Sequence, residues 1–351
     1  MRASNTATLE QRLLALMHTF AVPGLALAVI RQNQIAYVGG FGVTDLFRAT
    51  PVLPETVFEA ASLSKPIVAY AALQLCAQGL LELDSPLISL IGNQQACDAQ
   101  LQGITLRHVL SHTSGLANWL AEGEAPRTHF APGSRFSYSG VGYGVLQQVI
   151  EAITGQPLAL YVERHVLRPL SMNDSNFIWR PDFDGRCATG HDSQCQPVQK
   201  LHPLEAHAAF SLHSTAPDLA RFLIATLRAD SVAQAMLTAQ VAVGDSAPWH
   251  SDWPKTDIQA SASVFWGLGW GLELTPQGRC CWQWGDNSSF KAFALGSLET
   301  GDGFVALTNS ANGDRLWADL AREFLPGQHP ALEWLSRISS DSDKVISSGS
   351  S

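Results

Sequence analysis

The stretch Phe58-Glu59-Ala60-Ala61-Ser62-Leu63-Ser64-Lys65-Pro66 decides how the rest of the chain is read. It runs into Ile67-Val-Ala-Tyr-Ala-Ala-Leu-Gln-Leu-Cys76, which is apolar nearly all round and predicts a buried helix ending near Gly79. Ser62 and Lys65 stand at the head of that helix with an i, i+3 spacing, which puts both side chains on one face. A serine hydroxyl is a poor nucleophile at neutral pH unless a neighbour takes its proton. Lys65 is within reach to do so, provided that burial beside other cations or apolar walls keeps it partly neutral. The positive end of the helix macrodipole would also favour an oxyanion formed beside Ser62. Ser64, adjacent to Lys65, points elsewhere. The same residues equally fit a helix N-cap followed by a solvated lysine, so other segments have to decide.

Outward from this stretch, a helix is predicted from about Thr8 to His18. Strands follow over Gly24–Ile30 and Gln34–Val38, joined by a turn at Arg31-Gln32-Asn33. Helices are predicted over Thr105–Leu110 and over Val141–Thr154, the second stopped by Gly155 and Pro157. Ser214-Thr-Ala-Pro-Asp218 reads as a capped helix start continued by Leu219–Ile224. Strand character returns at Phe265–Leu274, Cys280–Trp284, Phe290–Leu298 and Phe304–Leu307, and a helix from Arg315 to Phe324 follows. The expected class is therefore α/β (α+β). An antiparallel sheet is built from N- and C-terminal strands and flanked by helices, with an inserted and mostly helical region. The sheet region is assigned to 1–70 plus 215–330 and the insert to 71–214. The Ser/Asp-rich residues 336–351 are expected to be a disordered tail.

With 351 residues, 46% hydrophobic and 15% charged, the chain can bury a substantial core. A net charge of −9 argues against nucleic acid or an anionic membrane surface as a partner. The N-terminal segment reads as an amphipathic helix rather than a secretory leader, and no apolar run approaches the roughly eighteen residues of a membrane span. A cytoplasmic protein is expected, although removal of a leader would leave the same sequence. Cysteines 76, 97, 187, 195, 280 and 281 form no C-x-x-C pair and are expected to be mostly buried free thiols. Cys187, His191 and Cys195 lack a fourth ligand. His202-Pro-Leu-Glu-Ala-His207 lacks zinc-helix spacing, so no metal site is expected at either segment.

Three further segments join the Ser62/Lys65 pair: Leu110-Ser-His-Thr-Ser-Gly-Leu116, Pro132-Gly-Ser-Arg-Phe-Ser-Tyr138-Ser-Gly140, and Trp282-Gln-Trp-Gly-Asp-Asn287-Ser-Ser-Phe-Lys291. In this order, and with Ser214-Thr-x-x-Asp-Leu-x-x-Phe222, they resemble the serine β-lactamase / penicillin-binding-protein superfamily. The resemblance is to its class C-like branch of family VIII esterases, D-peptidases and acyltransferases, and it covers about Val22 to Phe324. It implies that Ser62 is a nucleophile, that Lys65 is its lysine, and that Tyr138 shares or relays the proton as a phenolate stabilised by the lysine. It also implies oxyanion donors in the backbone N–H groups of Ser62 and Asn287.

Two departures shape the expected substrate. The family's Tyr-x-Asn reads Tyr138-Ser-Gly140 here, which removes an amide that holds a substrate side chain. The family's third motif begins with Lys or His, and the equivalent run is taken as Trp284-Gly285-Asp286, without a cation for a substrate carboxylate. Gly285 allows close approach of a strand edge. Asp286 caps the turn or repels anions, Lys291 is a solvated strand lysine, and His112 orders the loop under the site. Trp119, Trp266, Trp270 and Trp282 are candidate acyl-pocket walls, most of them core. The resemblance implies a serine acyl-hydrolase acting on a small ester, amide or peptide without cofactor or metal, with an esterase favoured. The alternatives are a D-amino-acid peptidase or acyltransferase on nonribosomal peptides, and a catalytically silent penicillin-binding protein. The absence of a G-x-S-x-G elbow disfavours an α/β-hydrolase.

Overall fold

In the computed structural model, which describes residues 3–91, 101–244 and 260–337, the side chains of Gly24–Arg31 (β1) divide strictly between two cores. Ala26, Ala28 and Ile30 enter one core, and Leu25, Leu27 and Val29 enter the other. A strand's side chains alternate across its sheet, so a strand apolar at every position must be covered on both faces. β1 therefore sits inside the sheet, paired antiparallel with Gln34–Asp45 (β2) and with Gly303–Thr308 (β11).

The remaining elements follow in chain order. Ala3–Thr19 (α1) precedes β1, and Thr50–Pro51 (β3), Phe58–Ala61 (β4) and Ser64–Ala77 (α2) follow β2. Leu106–Leu110 (α3), Gly140–Thr154 (α4), Leu158–Val162 (α5), Leu212–Ser214 (β5), Ala216–Leu227 (α6) and Ser231–Met236 (α7) form the middle of the chain. Val241–Gly244 (β6), Ala260–Trp266 (β7), Gly271–Thr275 (β8), Gly278–Asp286 (β9) and Lys291–Ser297 (β10) lead to β11 and Trp317–Phe324 (α8). Nine strands form one antiparallel sheet in the order β3-β2-β1-β11-β10-β9-β8-β7-β6, and β4 and β5 form a separate two-stranded ladder. Strands from both ends of the chain thus build the large sheet, and helices cover it.

The first core joins one face of the sheet to α2, α4 and α6. The second joins the other face to α1, α8 and a helical stretch over 330–337. Residues 336 and 337 close that stretch rather than opening a tail, and the rest of the expected tail lies outside the described residues. The single strand expected over Phe265–Leu274 is two strands, β7 and β8, turned at Gly267–Trp270. Gly269 there has φ +99°, and a Cβ on it would stand 2.4 Å from Ala69 Cβ, so only glycine fits between this turn and α2. Cys76, Cys187, Cys195, Cys280 and Cys281 are free thiols, and Cys97 lies outside the described residues. Among the described residues no helix is long and apolar enough to cross a membrane.

Candidate active site

Ser62 lies in the turn between β4 and α2, two residues before the first helical residue. The chain enters this turn through Ala61 at φ +48°, a left-handed conformation that costs alanine about 1 kcal/mol. The β4/β5 ladder and the bond from Lys65 N–H to the Ser62 carbonyl (3.1 Å) hold it there. Lys65 is buried. Its Nζ lies 2.9 Å from Ser62 Oγ and donates to the Ala209 carbonyl at 3.0 Å. Burial pushes the Lys65 pKa down to about 7, so a substantial neutral fraction exists near neutrality. Ser64 is turned away: its Oγ donates to the Ala61 carbonyl (2.6 Å) and accepts from Leu212 N–H (3.1 Å).

Tyr138 is also buried, and Lys65 Nζ is 4.7 Å from the centre of its ring. Burial raises the phenol pKa, and hydrogen bonds with Ser62 and Gln283 only partly oppose it. The phenol is therefore neutral. Burial thus favours the phenol over the lysine-stabilised phenolate that the resemblance implies.

His112, at φ +54° and fully buried, lies with its ring 4.2 Å from that of Tyr138. Its carbonyl accepts from Ser137 N–H (2.6 Å) and its Nδ1 from Ser139 N–H (3.0 Å), so it braces the chain on both sides of Tyr138. Burial, then the charge of Lys65, keeps its pKa well below the usual histidine range. Gly140 opens α4, and its N–H donates to Asn118 Oδ1 at 2.9 Å. A Cβ on Gly140 would stand 2.7 Å from the Asn118 carbonyl. The side chain that packs against the position of the missing amide is that of Asn118, buried on the neighbouring loop, which the sequence reading did not identify.

The β9 edge differs most from expectation. Gln283, fully buried, donates its Nε2–H to Tyr138 Oη at 3.0 Å. Trp284 points to the opposite face, into the second core, where it is 3% exposed and its ring lies 4.6 Å from that of Tyr138. The side chain that meets the Tyr138 hydroxyl from this strand is therefore Gln283, one residue earlier than expected, and Trp284 supports Tyr138 from behind. Gly285 is a close approach: a Cβ there would stand 2.4 Å from the Ala60 carbonyl.

Asn287 N–H donates to the Phe290 carbonyl (3.1 Å), which closes the β9–β10 turn, so it is not the free donor that the resemblance implied. Hydrogen-bonding direction alternates along an antiparallel strand. Asp286, paired with Lys291, consequently turns its N–H away from β10, toward the edge left open where β8 stops pairing at Trp282. The Asn287 side chain instead donates to Glu59 Oε2 (2.8 Å), a buried carboxyl that also accepts from Leu201 N–H (3.1 Å) and whose pKa is raised by burial.

Asp286 Oδ1 accepts from Ser288 N–H (2.8 Å), forming the expected turn cap, and its Oδ2 pairs with Lys291 Nζ at 2.5 Å. Lys291 is thus an ion-paired and largely buried lysine, not a solvated one. Of the four tryptophans, Trp266, Trp270 and Trp282 are core, and Trp119 is half-exposed with its ring 5.5 Å from Phe210, next to Ala209. Among the described residues, Glu273, Cys280 and His329 bring metal-ligating atoms together within 4.8 Å. Their polar atoms already satisfy one another: His329 bridges Glu273 Oε1 (2.6 Å) and the Leu325 carbonyl (2.7 Å), and Ala331 N–H caps Glu273 Oε2 (3.0 Å). His191 joins the Leu46 N–H and the Asn309 carbonyl, and His202 stacks on Trp179, so neither sequence-flagged loop forms a ligand set.

A serine under a desolvated lysine and a neutral tyrosine, beside an open strand edge, has the parts for acyl transfer. The family profile described as Beta-lactamase matches residues 9–324. The chain is similar to an esterase, EstB, of Burkholderia gladioli, with 33% identity over 213 residues covering 52% of this chain and 54% of the relative, about half its length. It is similar to penicillin-binding protein 4 of Amycolatopsis lactamdurans, 26% identical over 90% of this chain and 88% of the relative. Among solved structures, a class C β-lactamase superposes with TM-score 0.75 at 20% identity, covering 92% of this chain and 97% of that one.

Proposed function

Because the chain belongs to the beta-lactamase family, we propose that it is a serine acyl-hydrolase working through an acyl-enzyme, with an ester as the favoured substrate. The observation that carries the reading is the 2.9 Å contact between Ser62 Oγ and a buried Lys65 amine whose pKa is brought down to about 7. Neutral Lys65 takes the Ser62 proton as Oγ bonds to the substrate carbonyl carbon. The N–H groups of Ser62 and Asp286 hold the oxyanion. The bond to the leaving group breaks, and its oxygen is protonated by Tyr138, which recovers a proton from Lys65. Water then attacks the acyl carbon, the lysine accepts its proton, and Ser62 Oγ is reprotonated as it leaves.

The ester preference draws on the similarity to EstB and on the chemistry of the site. Gln283 is neutral, and Lys291 is neutralised by Asp286, so the edge offers little to a substrate carboxylate. A paired assay of wild type and Ser62→Ala on p-nitrophenyl butyrate and a D-alanyl p-nitroanilide, with intact-mass detection of acyl adducts, tests it. Ester turnover lost in the variant is the expected result. Turnover of the amide alone would move the protein to the alternative D-peptidase reading, and full activity in Ser62→Ala would overturn the assignment.

A further inference from the structure

Gln283 has an amide whose orientation is dictated by its surroundings. Three oxygens face its Nε2: Tyr138 Oη at 3.0 Å, the Ser62 carbonyl at 3.3 Å and the Trp284 carbonyl at 2.9 Å. Two of the three are carbonyl oxygens, which can only accept. Turning the amide over would set Oε1 against both carbonyls, so the nitrogen must face them. The Tyr138 oxygen consequently accepts a hydrogen bond from Gln283, and the phenol's own proton must point elsewhere. Its other hydrogen-bonding neighbour in the site is Ser62. Gln283 Oε1 is left buried with no partner among the described residues, a cost that a purely structural position would not need to carry.

We propose that Gln283 is the positioning residue for Tyr138: it holds the phenol oxygen as an acceptor, aims the phenol proton at Ser62 Oγ, and by being uncharged suits the site to acyl substrates without a carboxylate beside the scissile bond. The proposal rests on the acyl-hydrolase reading and adds to it the proton order and the substrate charge class. In this order Gln283 donates to Tyr138, Tyr138 donates to the Ser62 oxygen, and Ser62 gives its proton to the lone pair of Lys65. The other titratable groups facing Lys65 are His112 and Tyr143, both buried, and the partly buried His207, all uncharged at neutral pH. No carboxylate contributes to the state of Lys65. A cation at position 283 would therefore act directly on Lys65 and Tyr138.

The test compares Gln283→Leu, Gln283→Met and Gln283→Lys, each checked by thermal melt. Two readouts are used: turnover of p-nitrophenyl butyrate and the rate of covalent labelling by a fluorophosphonate probe, which reports serine activation whatever the natural acyl group. Gln283→Leu and Gln283→Met, which remove the donor, are expected to lower kcat and the labelling rate roughly 10- to 100-fold with KM little changed. Combining Gln283→Leu with Tyr138→Phe is expected to cost no more than Tyr138→Phe alone, because the first acts through the second. Gln283→Lys restores a donor. It is expected to recover most of kcat, to move the acid limb of the pH profile to lower pH, and to raise turnover of nitrocefin relative to the butyrate ester by roughly tenfold.

If Gln283→Leu does not fold, Gln283→Met and Gln283→Lys still decide between the outcomes. Wild-type labelling rates in the donor-less variants, additive losses in the double variant, or an unmoved pH limb in Gln283→Lys would overturn the positioning role and leave the hydrolase reading standing. Absence of both labelling and ester turnover in the wild type would overturn the two together.

Discussion

Lys65 Nζ stands 2.9 Å from Ser62 Oγ and is held on its other side by a carbonyl, that of Ala209 at 3.0 Å, rather than by a carboxylate. A buried amine with no anionic partner gains nothing from its charge, and burial brings its pKa to about 7. The neutral form is the one able to take a proton, so kcat/KM for an ester is predicted to rise with pH through about 7 and to level off above it. Lys65→Arg, which stays charged, is predicted to lose activity by roughly a thousandfold or more. A rate profile that falls between pH 6 and 8 would contradict Lys65 as the base.

The same residue limits stability. Its folded pKa of about 7 lies below the value near 10.4 expected when unfolded. Between these values the unfolded state holds a proton that the folded state does not, so stability rises with pH across that window. Below pH 7 the folded state carries the full cost of a buried charge. Lys65→Met is therefore predicted to melt several degrees higher than wild type at pH 6, with the gap narrowing toward pH 9. Melting curves of the two proteins at both pH values check this; an equal gap at both would show that packing, not charge, sets the difference.

What the sequence reveals about this site follows from how far apart its partners lie. Ser62 and Lys65 are three residues apart, and helical geometry alone brings them together. Tyr138 and Gln283 meet across 145 positions, and nothing local signals that contact. A third motif that starts at Trp284 is one residue out of step with the structure, and a slip of one residue along a strand moves every side chain to the other face. The slip placed a core tryptophan at the site and hid the glutamine. The unbroken apolar run of Gly24–Ile30 made β1 legible, since only a doubly covered strand tolerates it. The similar run over Phe265–Leu274 concealed a turn, because the requirement for glycine at position 269 comes from Ala69 on a distant helix.

Gly285 marks a close approach of β9 to the turn that holds Ser62. A Cβ there would stand 2.4 Å from the Ala60 carbonyl and 3.1 Å from Ala61 Cβ. Both obstacles belong to the segment leading into Ser62, and one is backbone, so the strand or the turn must move. Gly285→Ala is predicted to cost about 1–3 kcal/mol in stability and to lower kcat on esters by tenfold or more, by moving Ser62 relative to the Asp286 N–H, its proposed partner in holding the oxyanion. Denaturant unfolding together with ester kinetics checks both effects. A variant with wild-type kcat would mean that the strand edge and the serine turn are not coupled.

His329 fastens the C-terminal stretch to β8, and its two ring nitrogens both face acceptors: Glu273 Oε1 at 2.6 Å and the Leu325 carbonyl at 2.7 Å. A neutral imidazole has one N–H and would leave a lone pair against an oxygen, so this geometry calls for the doubly protonated ring. Burial alone would lower the His329 pKa, but the hydrogen bond and charge of Glu273, aided by the Leu325 carbonyl, raise it overall. Cys280, whose thiol is pushed up by burial and then by Glu273, adds no charge. A histidine with a raised folded pKa contributes stability that is fully present below its unfolded pKa, near 6.5, and is lost as pH rises through the folded value. Glu273→Gln is thus predicted to destabilise the protein by about 3 kcal/mol at pH 6 and by clearly less at pH 9. The Lys65 contribution is common to both proteins and cancels in the difference. A pH-independent difference would show that Glu273 acts only as a hydrogen-bond acceptor for Ala331 and not as the partner of an imidazolium.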